Sequence, residues 1–293
     1  MRGKSSREAR GQCLYKSRMS WASAAIRRKL GVTACTVIAM LLVRRRAPQG
    51  SYFSDGDRAS GVFGVLATGF SVLLGFIIFL SFQSYDSART GADLEATTVL
   101  QQTQTAQFLP SDVSGELTAE LACYARSVAR TEWVALESGT LGDRVNPWGV
   151  EMFRTISDVE PQEATEQSAY DRWMDQTIQR EQARITRVHG AEGIIPSPLW
   201  LALFLITAVI FGYLLFFADP SEGPFTQATL MGSTTAVIAM LLLLLMFFDH
   251  PHGGGIGRLQ PTAMERTIRL IDTELAIIDL DVSLPCDGNG KPL

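Results

Sequence analysis

Three arginines are the residues whose type and spacing most directly suggest chemistry. Arg180, Arg184 and Arg187 stand at i, i+4 and i+7, so they share one face of a helix. A guanidinium holds carboxylate or phosphate through two parallel hydrogen bonds. The face therefore has two readings: contact with an anion or a lipid headgroup, or ion pairing with Glu116, Glu120 or Glu132 of a neighbouring helix. Asp249, His250 and His252 crowd a turn, but two histidines two apart without further ligands are a weak metal signal, and no metal is expected. Cys13, Cys35, Cys123 and Cys286 are far apart, have no metal-ligand spacing and give no disulfide framework in a chain of this length. No nucleophile elbow, zinc-protease helix or phosphate-binding loop is present. Gly253–Gly257 follows no strand and reads as a flexible turn. No catalytic residue, cofactor or nucleic-acid partner is expected, and the chain does not read as an enzyme.

The elements that must position these residues are dominated by a membrane. Gly61–Phe82 is a run of 22 residues without a charge. As a helix it spans about 33 Å, against roughly 30 Å for the hydrocarbon core of a bilayer. Residues 199–218 repeat the pattern over about 30 Å and residues 225–248 over about 36 Å. Trp200 and Tyr213 lie toward the two ends of the former, where amphipathic rings favour the headgroup level. The link between these two spans, 219–224, is short enough to make them antiparallel neighbours. A further apolar run, 30–43, is short for a crossing at about 21 Å, but basic clusters on both sides can snorkel to the surface. It reads as a short first transmembrane helix. A basic tail (1–29) precedes it and a polar loop (44–60) follows.

Between the second and third spans, 83–196 is polar and acidic, with eighteen acids against nine arginines. The helix of the second span is expected to continue into it, with Ala92, Ala96, Val99 and Leu100 on one face. A helix over Val113–Leu136 follows from the stripe Leu117, Leu121, Tyr124, Ala125 and Val128. Gly, Asp and Pro mark 138–149 as a turn region. Trp173, Met174, Ile178, Ile185 and Val188 predict another helix over Pro161–Val188. The tail, 249–293, holds one helix from Pro261 to Leu280.

The spans contain no Asp, Glu, Lys, Arg or His, which argues against proton relays, voltage sensors and ion-coupled pumps. A passive pore with an apolar constriction remains compatible. Val72, Phe76 and Leu80 share a face at i, i+4 and i+8 and are the candidate neck; the alternative is that they face lipid or core. Ala67, Ser71 and Gly75, and likewise Ala228, Gly232 and Ala236, set small residues four apart, where helix backbones can approach closely. These are candidate packing faces, within the chain or between subunits.

The residues also resemble a known family. A short helix ends in Val43-Arg44-Arg45-Arg46, and the long span is followed by Tyr85, Ala88, Glu95 and Ala96. Then come Tyr124, Glu132 and Trp133, Ile195-Pro196 with Leu199-Trp200, and Asp249, Pro251 and Gly254 after the last span. The layout resembles the bestrophin-like membrane proteins over roughly Leu30–Asp279. The resemblance implies an all-α membrane protein with four transmembrane helices, the first one short, and a helical extramembrane region between the second and third. Through the family's distant relation to bestrophins, it implies a homo-oligomer passing inorganic anions. The alternative is a non-conducting membrane scaffold or sensor that binds a partner through its acidic region. Where the family pattern has Asp-x-Pro-Phe-x-Gly, this chain has His252 in place of the aromatic.

A multi-pass protein of the plasma membrane, in contact with lipid, is the expected setting. Its orientation has two opposed signals. The tail 1–29 carries nine basic residues and one acid; the loop 44–60 carries Arg44, Arg45, Arg46 and Arg58 against Asp55 and Asp57. Each asks to be cytoplasmic, and both cannot be if 30–43 crosses. With the whole tail counted, the acidic region faces the cytoplasm; with a start at Met19 or later, it faces outside.

Overall fold

The structure, a computed structural model, describes residues 38–39, 41–43, 45–46, 52–53, 55–138, 141, 144–191, 193–217, 223–252, 257–277 and 283–293. Most of the short first span expected over 30–43 lies outside them, as do residues 44, 47–51 and 54 of the loop 44–60 and residues 219–222 of the link; 38–39 and 41–43 are helical. Beyond the helical residues 38–39 and 41–43, the described residues contain eight α-helices, one π turn and no β-strand. They are α1 (Gly56–Ala106), α2 (Ser111–Ser127), the π turn (Val128–Glu132), α3 (Trp133–Glu137), α4 (Pro147–Ser157), α5 (Ala164–His189), α6 (Ser197–Phe216), α7 (Pro224–Asp249) and α8 (Thr262–Ile277). Three of these, α1, α6 and α7, are long and apolar enough to cross a membrane. The protein is thus an all-α membrane protein.

The chain divides into two compact units. The first contains α1 as far as Gln83, together with α6 and α7. Its core is a seam of Phe70, Leu74 and Ile77 from α1 with Leu203 and Ile210 from α6 and Leu245 from α7. These α1 residues recur at helical spacing and leave the opposite face uncovered. At one end of the seam Phe53, Phe63, Tyr213 and Phe217 form an aromatic cluster, with ring centroids between 4.9 and 6.2 Å apart. The Asp249 carboxylate, at the end of α7, accepts the N–H groups of Ile194 and Ile195 at 2.9 and 3.1 Å, so it ties down the turn that starts α6.

The second unit contains α1 from Ser84, α2 to α5, α8 and the C-terminal segment. The predicted stripe is its centre: Leu117, Leu121, Tyr124, Ala125 and Val128 are all fully buried. They pack with Val99 of α1, Trp148, Met152 and Ile156 of α4, Trp173 of α5 and Ile271 of α8. Helix α4 starts inside the stretch read as a turn. Asn146 caps it by accepting the Trp148 N–H at 3.1 Å, and Pro147 occupies the first turn. Helix α5 opens on a capping box made by Glu163 and Glu166. Cys123 and Cys286 are joined in a disulfide across 163 residues, which corrects the reading that the cysteines stand apart. Distance along the chain concealed the pairing.

Helices α1 and α5 approach closely because small residues meet there. A Cβ on Gly91 would lie 2.9 Å from both the Ala183 carbonyl oxygen and the Arg187 nitrogen. A Cβ on Gly190 would collide with the Ala88 side chain. Backbone atoms cannot yield as a flexible side chain can, so Gly91→Ala should destabilise the protein by about 1–3 kcal/mol. A lowered thermal midpoint in detergent is the expected readout; an unchanged midpoint would mean the helices can separate at little cost.

Candidate functional site

The three arginines of α5 are brought together, but they point into the second unit. Arg180 and Arg187 are fully buried, at 1% and 0% exposure. Arg187 holds two carboxylates at once. Its Nε and Nη2 donate to Glu95 of α1 at 2.5 and 3.1 Å, and its Nη2 also donates to Glu132 at 2.7 Å. Arg184 donates to the other oxygen of Glu132 at 3.1 Å and to the Arg144 carbonyl at 2.7 Å. Asn146 donates to Glu132 at 2.9 Å, and the Tyr124 hydroxyl donates to Glu95 at 2.7 Å. Arg180 donates to Gln102 at 2.9 Å and pairs with Glu181 at 3.1 Å, with its guanidinium 4.9 Å over the Tyr124 ring.

Arg180, Arg184 and Arg187, the candidate anion or lipid contact, take part here in hydrogen bonds and ion pairs within the unit. Each guanidinium group holds protein acceptors, while Arg180 Nε, Arg184 Nε and Arg187 Nη1 are buried without a partner. Of the carboxylates named as alternatives, Glu132 is engaged, while Glu120 is held by Thr155 at 3.2 Å. Glu95 carries much of the network, and sequence reasoning missed it as a partner because it lies on the helix of the long span, 92 residues from Arg187. Burial opposes ionisation of Glu132, but Arg187 and Arg184 outweigh it and hold the carboxyl below its ordinary range. The same carboxylates keep Arg187 charged despite its burial.

The π turn sets the geometry. The Trp133 N–H reaches back to the Val128 carbonyl, five residues away, so the helix is locally widened just before Glu132. Glu132 and Trp133 are both buried. The Arg187 guanidinium lies 5.8 Å from the Trp133 ring centroid, within cation–π range. His252 also lies against that ring, edge-on with centroids 5.3 Å apart. Both ring nitrogens of His252 are buried without a hydrogen-bond partner. Burial, reinforced by Arg187, pushes the imidazole down to about 4. Two neutral, unpaired nitrogens thus sit where the family pattern has an aromatic ring. No group of histidine, cysteine or carboxylate side chains among the described residues could hold a metal.

In the first unit, Val72, Phe76 and Leu80 are 69%, 59% and 39% exposed, so they form an apolar stripe that the rest of the chain leaves open. Ser71 and Gly75 are also exposed, with open space around Gly75. On α7, Ala228 and Gly232 are half-buried and Ala236 is exposed. Packing within the chain is carried by the larger Phe70, Leu74 and Ile77.

Three tests follow from this site. Arg187→Met leaves Glu95 and Glu132 buried without their shared cation, so it should cost about 3–5 kcal/mol; Glu95→Gln added to it should recover part of that loss, since breaking a buried pair costs more than removing it. Thermal or denaturant unfolding in detergent reads both, and additive losses would refute the coupling. The second concerns His252. Its lowered value means stability is complete above pH 6.5 and is lost as pH falls from about 6.5 to about 4. His252→Phe should abolish that slope and stabilise the protein by about 1–3 kcal/mol, because it removes two unpaired buried nitrogens. The third concerns Glu120, which burial, then its neighbours Glu116 and Glu151, raise to about 7. Its contribution is complete below pH 4.5 and is lost as pH rises to about 7, so Glu120→Gln should gain about 1–3 kcal/mol at neutral pH and none at pH 4. Melting curves between pH 4 and 8 check both signs.

Comparison with known proteins locates the fold. A family model described as a Bestrophin-like domain matches residues 30–264. Solved structures of a bacterial bestrophin homologue from Klebsiella pneumoniae are similar in fold. An isoleucine-to-threonine variant has a TM-score of 0.64 at 14% identity, covering 85% of this chain and 98% of that one. A leucine-to-threonine variant has 0.65 at 14%, covering 85% and 99%. The homologue solved by Zn-SAD phasing has 0.64 at 13%, covering 84% and 97%. No curated protein matches the chain.

Proposed function

The chain belongs to the bestrophin-like family, and from that premise we propose that it is the subunit of a homo-oligomeric, passive anion channel of the plasma membrane. The observation that carries this reading is the open stripe Val72, Phe76 and Leu80 on α1. It is apolar, free of charge and unpacked within the protomer, which is what a constriction contributed once by each subunit requires. A ring of such residues gates by excluding water rather than by binding the ion. The small-residue faces at Ala67, Ser71 and Gly75 and at Ala228, Gly232 and Ala236 support close contact between subunits, because lipid tails supply no hydrophobic drive for helix association.

The buried network is the framework in this reading. It fixes α5 against α1 and leaves the pore to the charge-free spans.

Reconstitution into planar bilayers tests the proposal. The purified oligomer should conduct anions without a coupled ion, and Phe76→Ala should raise unitary conductance by widening the neck. Silence across voltages and anions in an oligomer of verified mass would overturn the channel and leave a membrane scaffold or sensor acting through the acidic unit. Currents unchanged by Phe76→Ala would place the constriction elsewhere.

A further inference from the structure

We propose that the helical unit faces an oxidising compartment, on the side of the membrane opposite Arg44–Arg46, and that Cys123 and Cys286 are oxidised there by a donor disulfide. The bond is a built feature. Cys123 is fully buried in α2 and Cys286 is 7% exposed. The segment that carries Cys286 is seated by several independent contacts. The Trp148 indole N–H donates to the Gly290 carbonyl at 2.6 Å, and the Thr131 hydroxyl donates to the Asn289 carbonyl at 2.9 Å. Gly290 adopts φ 75°, and a Cβ there would collide with the Ser127 backbone, so only glycine permits this approach. Leu284 packs on the core of the unit, and the Asp287 carboxylate accepts the N–H groups of Asn289 and Lys291 at 2.8 and 2.9 Å. The segment therefore has its own fold and its own docking site, with the two sulfurs held in register.

Disulfides of this kind form and persist in oxidising compartments and are rare where glutathione and thioredoxin keep thiols reduced. The balance is simple. Each thiol gives up a proton, the two sulfurs join, and the donor disulfide takes two electrons and two protons to become a dithiol. Of the two opposed charge signals, the one in the loop 44–60 agrees. With 84–193 and 258–293 outside, the loop holding Arg44, Arg45, Arg46 and Arg58 is cytoplasmic, as cytoplasmic loops rich in arginine should be, and one crossing by α1 separates the two. The crossings of α6 and α7 return the chain to the side it left, which puts both cysteines on one face of the membrane. The basic tail, 1–29, is then outweighed as a determinant of orientation.

Acid-quenched cells expressing the full chain provide the test. After alkylation of free thiols, reduction should expose two further thiols, seen as two added polyethylene-glycol maleimide labels; both should be absent in Cys123→Ser. In intact spheroplasts, a membrane-impermeant maleimide should label Gln179→Cys at once and Ser60→Cys only after lysis. The first measurement uses the unaltered protein, so it stands even if a variant fails to fold. Free thiols at 123 and 286 in quenched cells, or protection of Gln179→Cys until lysis, would overturn the proposal.

Discussion

Arg187 is the constraint around which the helical unit is arranged. A guanidinium at 0% exposure is tolerable only if its charge and its donors are met, and Glu95 and Glu132 meet most of both. Those two carboxylates come from α1 and from the π turn, so one cation fixes three elements of the chain. Each carboxylate then needs its remaining oxygen valence filled, which recruits Tyr124, Asn146 and Arg184. The small residues at Ala88, Gly91, Ala183 and Gly190 serve the same end from the backbone side, because they let α5 come near enough to α1 for the pair to form.

Membrane physics was easy to read from composition. A bilayer demands about 20 apolar residues per crossing, and that demand leaves a long, unbroken trace. The stripe of α2 was equally plain, since a helix buried on one side repeats its apolar residues at 3.6. Helix α4 was obscured by the residues that start it: Asn146 and Pro147 look like a turn in isolation, yet an Asn cap followed by Pro at the first helical position is a start signal. The arginine face was visible as a face. Its partners were ambiguous because α1, α2 and the π turn all carry acids, and only the tertiary fold says which are within reach. The residues by which the family was recognised, Glu95, Tyr124, Glu132 and Trp133, turn out to converge on one buried cluster. Scattered identity in the chain was contact in space. The disulfide lacked any such trace, because nothing local to Cys123 points to Cys286.

The two units place different requirements on the same helix. Before Gln83, α1 leaves Val72, Phe76 and Leu80 open and buries Phe70, Leu74 and Ile77 against the other spans. After Ser84 one face of it is covered by the unit, with Ala88, Gly91, Glu95, Thr98, Val99 and Gln102 all buried. The break in character lies in what surrounds the helix rather than in its hydrogen bonding, which runs uninterrupted from Gly56 to Ala106. His252 is a departure inside this order: a titratable ring occupies a site whose surroundings suit an aromatic one, so its unpaired nitrogens give the unit a weakness toward acid.

The π turn at Val128–Glu132 amounts to one surplus residue in the helical winding. An α-helix turns by about 100° per residue. The wider turn absorbs that residue and keeps the two flanks in phase; winding the same residues as ordinary α-helix would swing Trp133 and everything after it by about that angle, while Tyr124 before it stayed in place. Substitutions in this stretch change one side chain; loss of the wide turn at unchanged length alters the rotational phase of the whole segment, and the carboxylate that meets Arg187 would no longer face it. The winding between Tyr124 and Trp133, more than any single side chain in it, is what the buried ion pairs depend on.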